Sequence, residues 1–210
     1  MMHRSIPLLA LLLLASVQSW GQATIGFDLT GGSTFTVGQT VTLDLLGTGW
    51  TAQDLAGGGL DLVISDSSVF SLQSVTVDTS VFDVPFGNCS LSGNCAAGPS
   101  GATNIDFGTF LNSAPTGTFD IASFTFAALS TGNSDLSLSA DCACSFSNSL
   151  GVQLIQGTDF NLQNASVSVV ATAAPEIEPS SALTALSLLL GAVAILRARL
   201  PRSGSGTRLG

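Results

Sequence analysis

Residues 117–139 read GTFDIASFTFAALSTGNSDLSLS, and the reading of this stretch decides the fold class. Two runs of alternating apolar and polar residues flank a turn-forming segment rich in Ser, Gly and Asn, which is the pattern of strand, turn and strand. In the second run Leu136, Leu138 and Ala140 take one face and the intervening serines take the other. The first run changes phase: Phe119 and Ile121 share one parity, Phe124 and Phe126 the opposite one. A one-residue slip sends every later side chain to the other face of a sheet. The phase change therefore predicts either a bulge near Ala122 or a strand covered on both sides.

The same grammar extends outward in both directions. TVTLDL (40–45) sets Val41, Leu43 and Leu45 against Thr40, Thr42 and Asp44, and GLDLVIS (59–65) aligns Leu60, Leu62 and Ile64. TIGFDL, VFSLQSVTV, TNIDFGTFL and ASVSVVA supply further candidates. No helical crossover separates them, so the expectation is an all-β chain: a single jelly-roll sandwich of about eight or nine strands between residues 24 and 171. The chain has twelve Phe and no Tyr, which suits a core whose rings need no polar partner.

Charge narrows the function classes. Between Thr24 and Ala174 there are twelve Asp and no Glu, Lys, Arg or His; the five Arg are Arg4, Arg197, Arg199, Arg202 and Arg208. Phosphate neutralisation needs Lys or Arg, so nucleic acid is excluded as a partner of this segment, and partners should be neutral or cationic. General acid–base chemistry would have only Asp pairs to work with, and a Ser nucleophile would lack a base, so the reading is non-catalytic. The triplet Asp78–Thr79–Ser80 lacks the Gly and the second copy that an aspartic-protease site requires. No cofactor is expected apart from calcium, for which oxygen-rich turns at Asp54, Asp66, Asp135 and Asp141 are weak candidates without EF-hand spacing. Solvated turn and edge carboxylates are the plainer reading of the same residues. Trp50, in GTGWTAQDLAGGG, is a candidate stacking platform for a sugar ring, against a loop residue folded onto the end of the sandwich. Asn88 and Asn164 match the N-x-S pattern incidentally.

The four Cys form two close pairs, Cys89 with Cys95 and Cys142 with Cys144. An even count favours disulfides in an exported chain. Local pairing closes a small loop at 89–95, whereas the one-residue spacer at 142–144 makes a strained ring and leaves cross-pairing between the segments open. Spacings of this kind without His do not suit zinc.

Both ends read as transport segments. Residues 1–23 combine a basic start, the apolar run IPLLALLLLASV and small residues at Gly21 and Ala23, the make-up of a signal peptide cut after Ala23 or, alternatively, Gly21. Residues 172–181 form a Pro-marked linker holding Glu176 and Glu178, followed by an apolar run at 182–196 and by Arg197, Arg199 and Arg202. Fifteen residues at about 1.5 Å each fall short of a hydrocarbon core of roughly 30 Å, and snorkelling Arg197 extends the reach. Acidic-proline motif, short apolar transmembrane helix and Arg cluster, in that order, resemble the PEP-CTERM sorting signal of Gram-negative bacteria. The resemblance covers Pro175 to Arg202 and runs Pro175, Glu176, Ile177, Glu178, Pro179 in place of a contiguous Pro-Glu-Pro. It implies an exosortase-type enzyme as partner, a precursor held in the inner membrane, and delivery to the cell surface or extracellular matrix. Residues 203–210 are expected to be a disordered tail.

The central segment also resembles a family. VGQTVTLDL, DLAGGGLDLVISDSSVFSLQSV and GTFDIASFTFAALSTGNSDLSLS, in that order, are similar to the cohesin module, a nine-stranded jelly-roll sandwich related to cellulose-binding modules. The resemblance implies a module that binds a protein, or carbohydrate as its relatives do. The expected function is thus an exported binding module of the envelope or matrix, with a structural matrix component lacking a specific ligand as the alternative.

Overall fold

The computed structural model describes residues 22–142 and 146–172 and, farther along, residues 184, 186–190, 192, 193 and 195. The chain divides into two units, Met1–Ala171 and Thr172–Gly210. In the first, the alternating runs become strands: β1 (Ala23–Phe27), β2 (Thr34–Thr36), β3 (Thr40–Trp50), β4 (Gly57–Ile64), β5 (Phe70–Val77), β6 (Phe86–Gly87), β7 (Asn94–Cys95), β8 (Gly101–Gly108), β9 (Gly117–Ala128), β10 (Gly132–Ala140), β11 (Phe160–Gln163) and β12 (Ala165–Val170). Among the described residues, twelve strands replace the expected eight or nine; the surplus is β2, β6 and β7, each of two or three residues. Pieces that short carry no periodicity to read.

The strands build two six-stranded sheets, in the orders β11-β1-β3-β9-β5-β7 and β2-β12-β10-β4-β8-β6. Their inner faces meet in one apolar core. Val41 pairs with Phe126 and Leu43 with Phe124 across the first sheet. Leu136 pairs with Ile64 and Leu138 with Leu62 across the second. The faces read from the sequence are those the core uses, because a strand with one wet side must put its alternate apolar positions together.

The phase change in β9 is a bulge. Leu45 pairs with Ala122 but Leu46 pairs with Asp120, so Ile121 has no opposite residue, and Ile121 and Ala122 are both buried. The extra residue re-aims the strand and splits the aromatic core in two. On one side of it Phe124 and Phe126 pack with Phe27, Phe70 and Phe35. On the other, Phe119 joins a closed ring that runs through Trp50, Phe160, Phe146, Phe107 and Phe82 and back to Phe119, with successive centroids 4.6–6.3 Å apart. A second bulge lies in β8, where Leu60 pairs with Ile105 but Leu62 with Ala102. Asn104 there takes a φ of 51°, and its amide donates to Asp61 Oδ1 at 2.8 Å.

In the second unit residues 184, 186–190, 192, 193 and 195 are helical. Leu186, Leu188, Leu189, Leu190, Val193 and Ile195 are exposed on it. Among the described residues no helix is long and apolar enough to cross a membrane. Pro175, Glu176, Glu178 and Pro179 of the expected sorting motif, Arg197, Arg199 and Arg202 of the expected membrane stop, the first 21 residues and residues 203–210 lie outside the described residues.

Trp50 closes one end of the aromatic ring at 0% exposure. Trp50→Ala should therefore cost about 3–5 kcal/mol, the range for large aromatic truncation in a core. Urea unfolding of variant and parent checks this, and a loss under 1 kcal/mol would place the indole elsewhere.

Candidate functional site

The one sugar-stacking candidate is not available to a ligand. Trp50 is fully buried, its ring against Phe119 and Phe160 and its Nε1 donating to the Thr24 carbonyl at 3.3 Å. It is a β3 terminus folded into the core, and a sugar could stack on it only by opening that core.

The calcium candidates do not assemble. Asp66 caps its own turn, its Oδ1 accepting from the Ser68 amide at 2.9 Å and the Ser68 hydroxyl at 2.6 Å. These bonds, the hydroxyl first, hold the Asp66 carboxyl below the usual carboxylate range. Asp54 bonds the amide and hydroxyl of Ser149. Asp135 takes part through its backbone, its amide donating to the Ser65 hydroxyl oxygen at 2.8 Å. Asp78 likewise caps Ser80 through amide and hydroxyl. Among the described residues no group of three or more His, Cys, Asp or Glu is placed to hold a metal ion.

Asp141 differs, and it leads to the most unusual polar feature of the sandwich. Its Oδ1 and Oδ1 of Asp106 are both buried, and neither has a hydrogen-bond partner when both groups are ionised. They meet on the outer face of the second sheet, over glycines. A Cβ on Gly59 would lie 2.3 Å from Asp106 Oδ1 and 2.8 Å from Asp141 Oδ1, and one on Gly87 would lie 2.3 Å from Asp106 Oδ2. Gly59 on β4 and Gly87 on β6 thus flank Asp106 on β8 and leave the room its carboxyl occupies. Asp61, on the same face, adds a third negative charge. Burial first, then the charge of Asp141, a hydrogen bond to Asp141 and the charge of Asp61 push the Asp106 carboxyl above the usual range. The proton that Asp106 takes up as pH falls through this raised range supplies the donor that the facing oxygens otherwise lack. Sequence reading singled out Asp141 but missed Asp106 and Asp61, since only the β4–β8–β10 neighbourhood brings residues 61, 106 and 141 together.

The first cysteine pair is bonded: Cys89 and Cys95 form a disulfide with Cα atoms 3.8 Å apart, next to the pairing of β7 with β5. Cross-pairing with the second segment is thereby ruled out for these two thiols. Cys142 is exposed and Cys144 lies outside the described residues. Both N-x-S asparagines do structural work: Asn88 Nδ2 donates to the Thr103 carbonyl at 3.0 Å, and Asn164 Oδ1 accepts from the Leu138 amide at 2.9 Å. A cleft lined by Gln22, Gly49, Gln53, Thr158 and Asp159 holds a single carboxylate. Asp159 Oδ2 is taken up by the Ile155 amide.

This geometry can be set beside known proteins. No family model and no curated protein matches the chain. Solved structures do. The cohesin module from a Clostridium perfringens family 33 glycoside hydrolase superposes with a TM-score of 0.52 at 12% identity, over 72% of this chain and 98% of that one. The central segment has the cohesin fold. The seventh ScaB type I cohesin from Pseudobacteroides cellulosolvens gives 0.50 at 18% identity, covering 74% of this chain and 96% of its own. The sixth cohesin of Acetivibrio cellulolyticus scaffoldin B, solved in complex with a dockerin, gives 0.50 at 13%, covering 71% and 99%. At these identities the likeness is one of fold, and the cohesin-like sandwich expected from the sequence is what the sheets form.

Asp106 binds its proton more readily in the folded chain than in the unfolded one. Its contribution to stability is therefore fully present below the unfolded value of 3.8 and is lost as pH rises through the raised folded value. Asp106→Asn keeps a donor toward Asp141 and removes the charge. The urea midpoint of this variant should exceed that of the parent by a margin that grows from about pH 4 to pH 7. A margin that shrinks over this range would contradict the assignment.

Proposed function

We propose that this chain is an exported, non-catalytic binding module that recognises a protein partner through the acidic outer face of the sheet β12-β10-β4-β8. The observation that carries the reading is the grouping of Asp61, Asp106 and Asp141 on that face of a cohesin-fold sandwich whose sequence contains no base. Such a face attracts a partner bearing Lys or Arg and repels anionic surfaces. The cohesin-fold neighbour solved with a dockerin supports a protein ligand. Polysaccharide is the second ligand class, by way of the open cleft lined by Gln53 and Asp159 rather than by Trp50.

Delivery follows from the two ends. Residues 1–23 direct export, and the Cys89–Cys95 bond suits an oxidising destination. Ala23 is the buried first residue of β1 and pairs with Phe160. Cleavage after Gly21 leaves that strand whole, which favours the alternative cut. An exosortase-type enzyme then acts near Pro175–Pro179, while the apolar helix with its exposed leucines, followed by Arg197, Arg199 and Arg202, holds the precursor in the inner membrane. The cell surface or extracellular matrix is the destination.

Two measurements test this. The intact mass of the mature protein should correspond to a chain beginning at Gln22 and lacking the Arg cluster; retention of both ends would sink the sorting scheme. Protein captured from envelope extract on the immobilised chain, then purified and titrated, should bind at least about tenfold more weakly to Asp61→Asn/Asp106→Asn and lose affinity with added salt. Equal affinity for parent and variant would remove the acidic face from the site. No retained protein and no signal on a glycan array would leave a purely structural matrix role.

A further inference from the structure

Ten of the twelve Phe lie in the core or pack against it; the two that do not are Phe86, 50% exposed, and Phe110, 82% exposed. Both lie at the end of β8. Phe86 pairs with Asp106 across β6 and β8, and a Cβ on Gly108 would lie 3.5 Å from the Phe86 ring. Two residues beyond Gly108 come Phe110 and then Leu111, the latter 84% exposed.

The segment that presents them is tied down at every turn. Asp83 Oδ1 accepts from the Phe110 amide at 2.8 Å and Oδ2 from the Leu111 amide at 2.7 Å, with the Asn112 amide at 3.5 Å. Asn112 Nδ2 reaches back to the carbonyls of Ser80 and Val81 at 2.9 and 3.4 Å. The Val84 amide donates to Gly108 at 3.0 Å and the Thr109 amide to Ala56 at 2.8 Å. Three successive amides converging on one carboxylate form a nest filled by the protein's own anion. The Phe110 amide above all keeps that carboxyl below the usual range, so it stays charged at neutral pH.

A scattered exposed apolar residue is ordinary. An aromatic and a Leu exposed in succession on a loop tied by hydrogen bonds, with a second exposed ring at the end of the strand that leads into it, make a preorganised anchor, because the ordering entropy is already spent when a partner arrives. The rim sets the partner. Asp83 holds the loop from below, Asp78 caps the turn at Ser80, and Asp106 sits opposite Phe86. With negative charge around an apolar tip, a complementary surface is an apolar pocket edged by Lys or Arg. A second copy of this sandwich offers no cation, and an anionic bilayer repels the rim. We infer that Phe86, Phe110 and Leu111 form an apolar anchor that inserts into a Lys- or Arg-rimmed pocket of a partner protein. This rests on the reading of the sandwich as a protein-binding module and adds the contact that would dominate its affinity.

The test uses the full chain and a defined probe, per-amino-β-cyclodextrin, an apolar cavity with an ammonium rim, with neutral β-cyclodextrin as control. Binding followed at the Phe110 and Leu111 amide resonances should be about tenfold tighter or more for the cationic probe, fall with added salt, and vanish in Phe110→Ser/Leu111→Ser. Equal affinity for the two probes, or binding retained in the double variant, overturns the inference. The double variant should melt with the parent, since both side chains are exposed, so that lost binding is not lost folding. A photoreactive phenylalanine at position 110, irradiated on producing cells, should then cross-link to one protein at an apolar site bordered by Lys or Arg. Cross-links only to lipid, only to a second copy, or scattered over many proteins overturn it. If the purified partner of the acidic face binds Phe110→Ser/Leu111→Ser as tightly as the parent, the anchor fails while the protein-binding reading stands; if no protein is retained by the parent chain, that reading fails first.

Discussion

The sandwich contains no cation, and much of its construction follows from that constraint. Twelve carboxylates with no Lys, Arg or His among them have no ion pairs to enter, so they turn to hydroxyls and backbone amides. Asp66 and Asp78 each close a turn on the serine two residues ahead. Asp44 bonds the Ser123 hydroxyl across β3 and β9 at 2.6 Å, and Asp61 fixes the amide of the one non-glycine residue with positive φ among those described. These contacts are modest in worth, on the order of 1 kcal/mol each. Cohesion must therefore come from the apolar interior, which is why it is so rich in stacked and edge-on rings.

The same constraint shapes the edges. A sheet edge is usually blunted with charged side chains, Lys above all, and this chain has none. Its edges are instead short: β2, β6, β7 and β11 have two to four residues, and the Cys89–Cys95 bond staples the segment that carries β7. Short edges offer little template for another strand.

Where a carboxylate has no donor, the structure points to function. Asp106 and Asp141 face each other over Gly59 and Gly87, raising the proton affinity of Asp106 and concentrating negative charge on one side of the second sheet. Where a carboxylate has three donors, at Asp83, it fixes a loop that holds two apolar side chains in water. The two arrangements share strand β8, Asp106 lying within it and Phe110 just past its end. In the proposed reading, acidic face and apolar anchor together call for a partner that is cationic around and greasy within.

The sequence by itself determined the fold class, the inward faces of β3, β4, β9 and β10, the irregularity in β9 and the acidic, cation-free character of the sandwich. Each of these is a property of local spacing or composition, which needs no long-range information. Whether the β9 phase change meant a bulge or a doubly covered strand was decided only by tertiary packing, because both give the same alternation along the chain. So was the fate of Trp50: its Gly-rich context allows either an exposed stacking platform or a ring folded onto the end of the sandwich, and the ring it completes is drawn from β3, β8, β9 and β11 and from the segments holding Phe82 and Phe146. The meeting of Asp61, Asp106 and Asp141, separated by 45 and 35 positions in the chain, and the capture of residues 110–112 by Asp83 depend on which strands become neighbours. Strand order is set by the global burial of the core and leaves no periodic mark in any one segment.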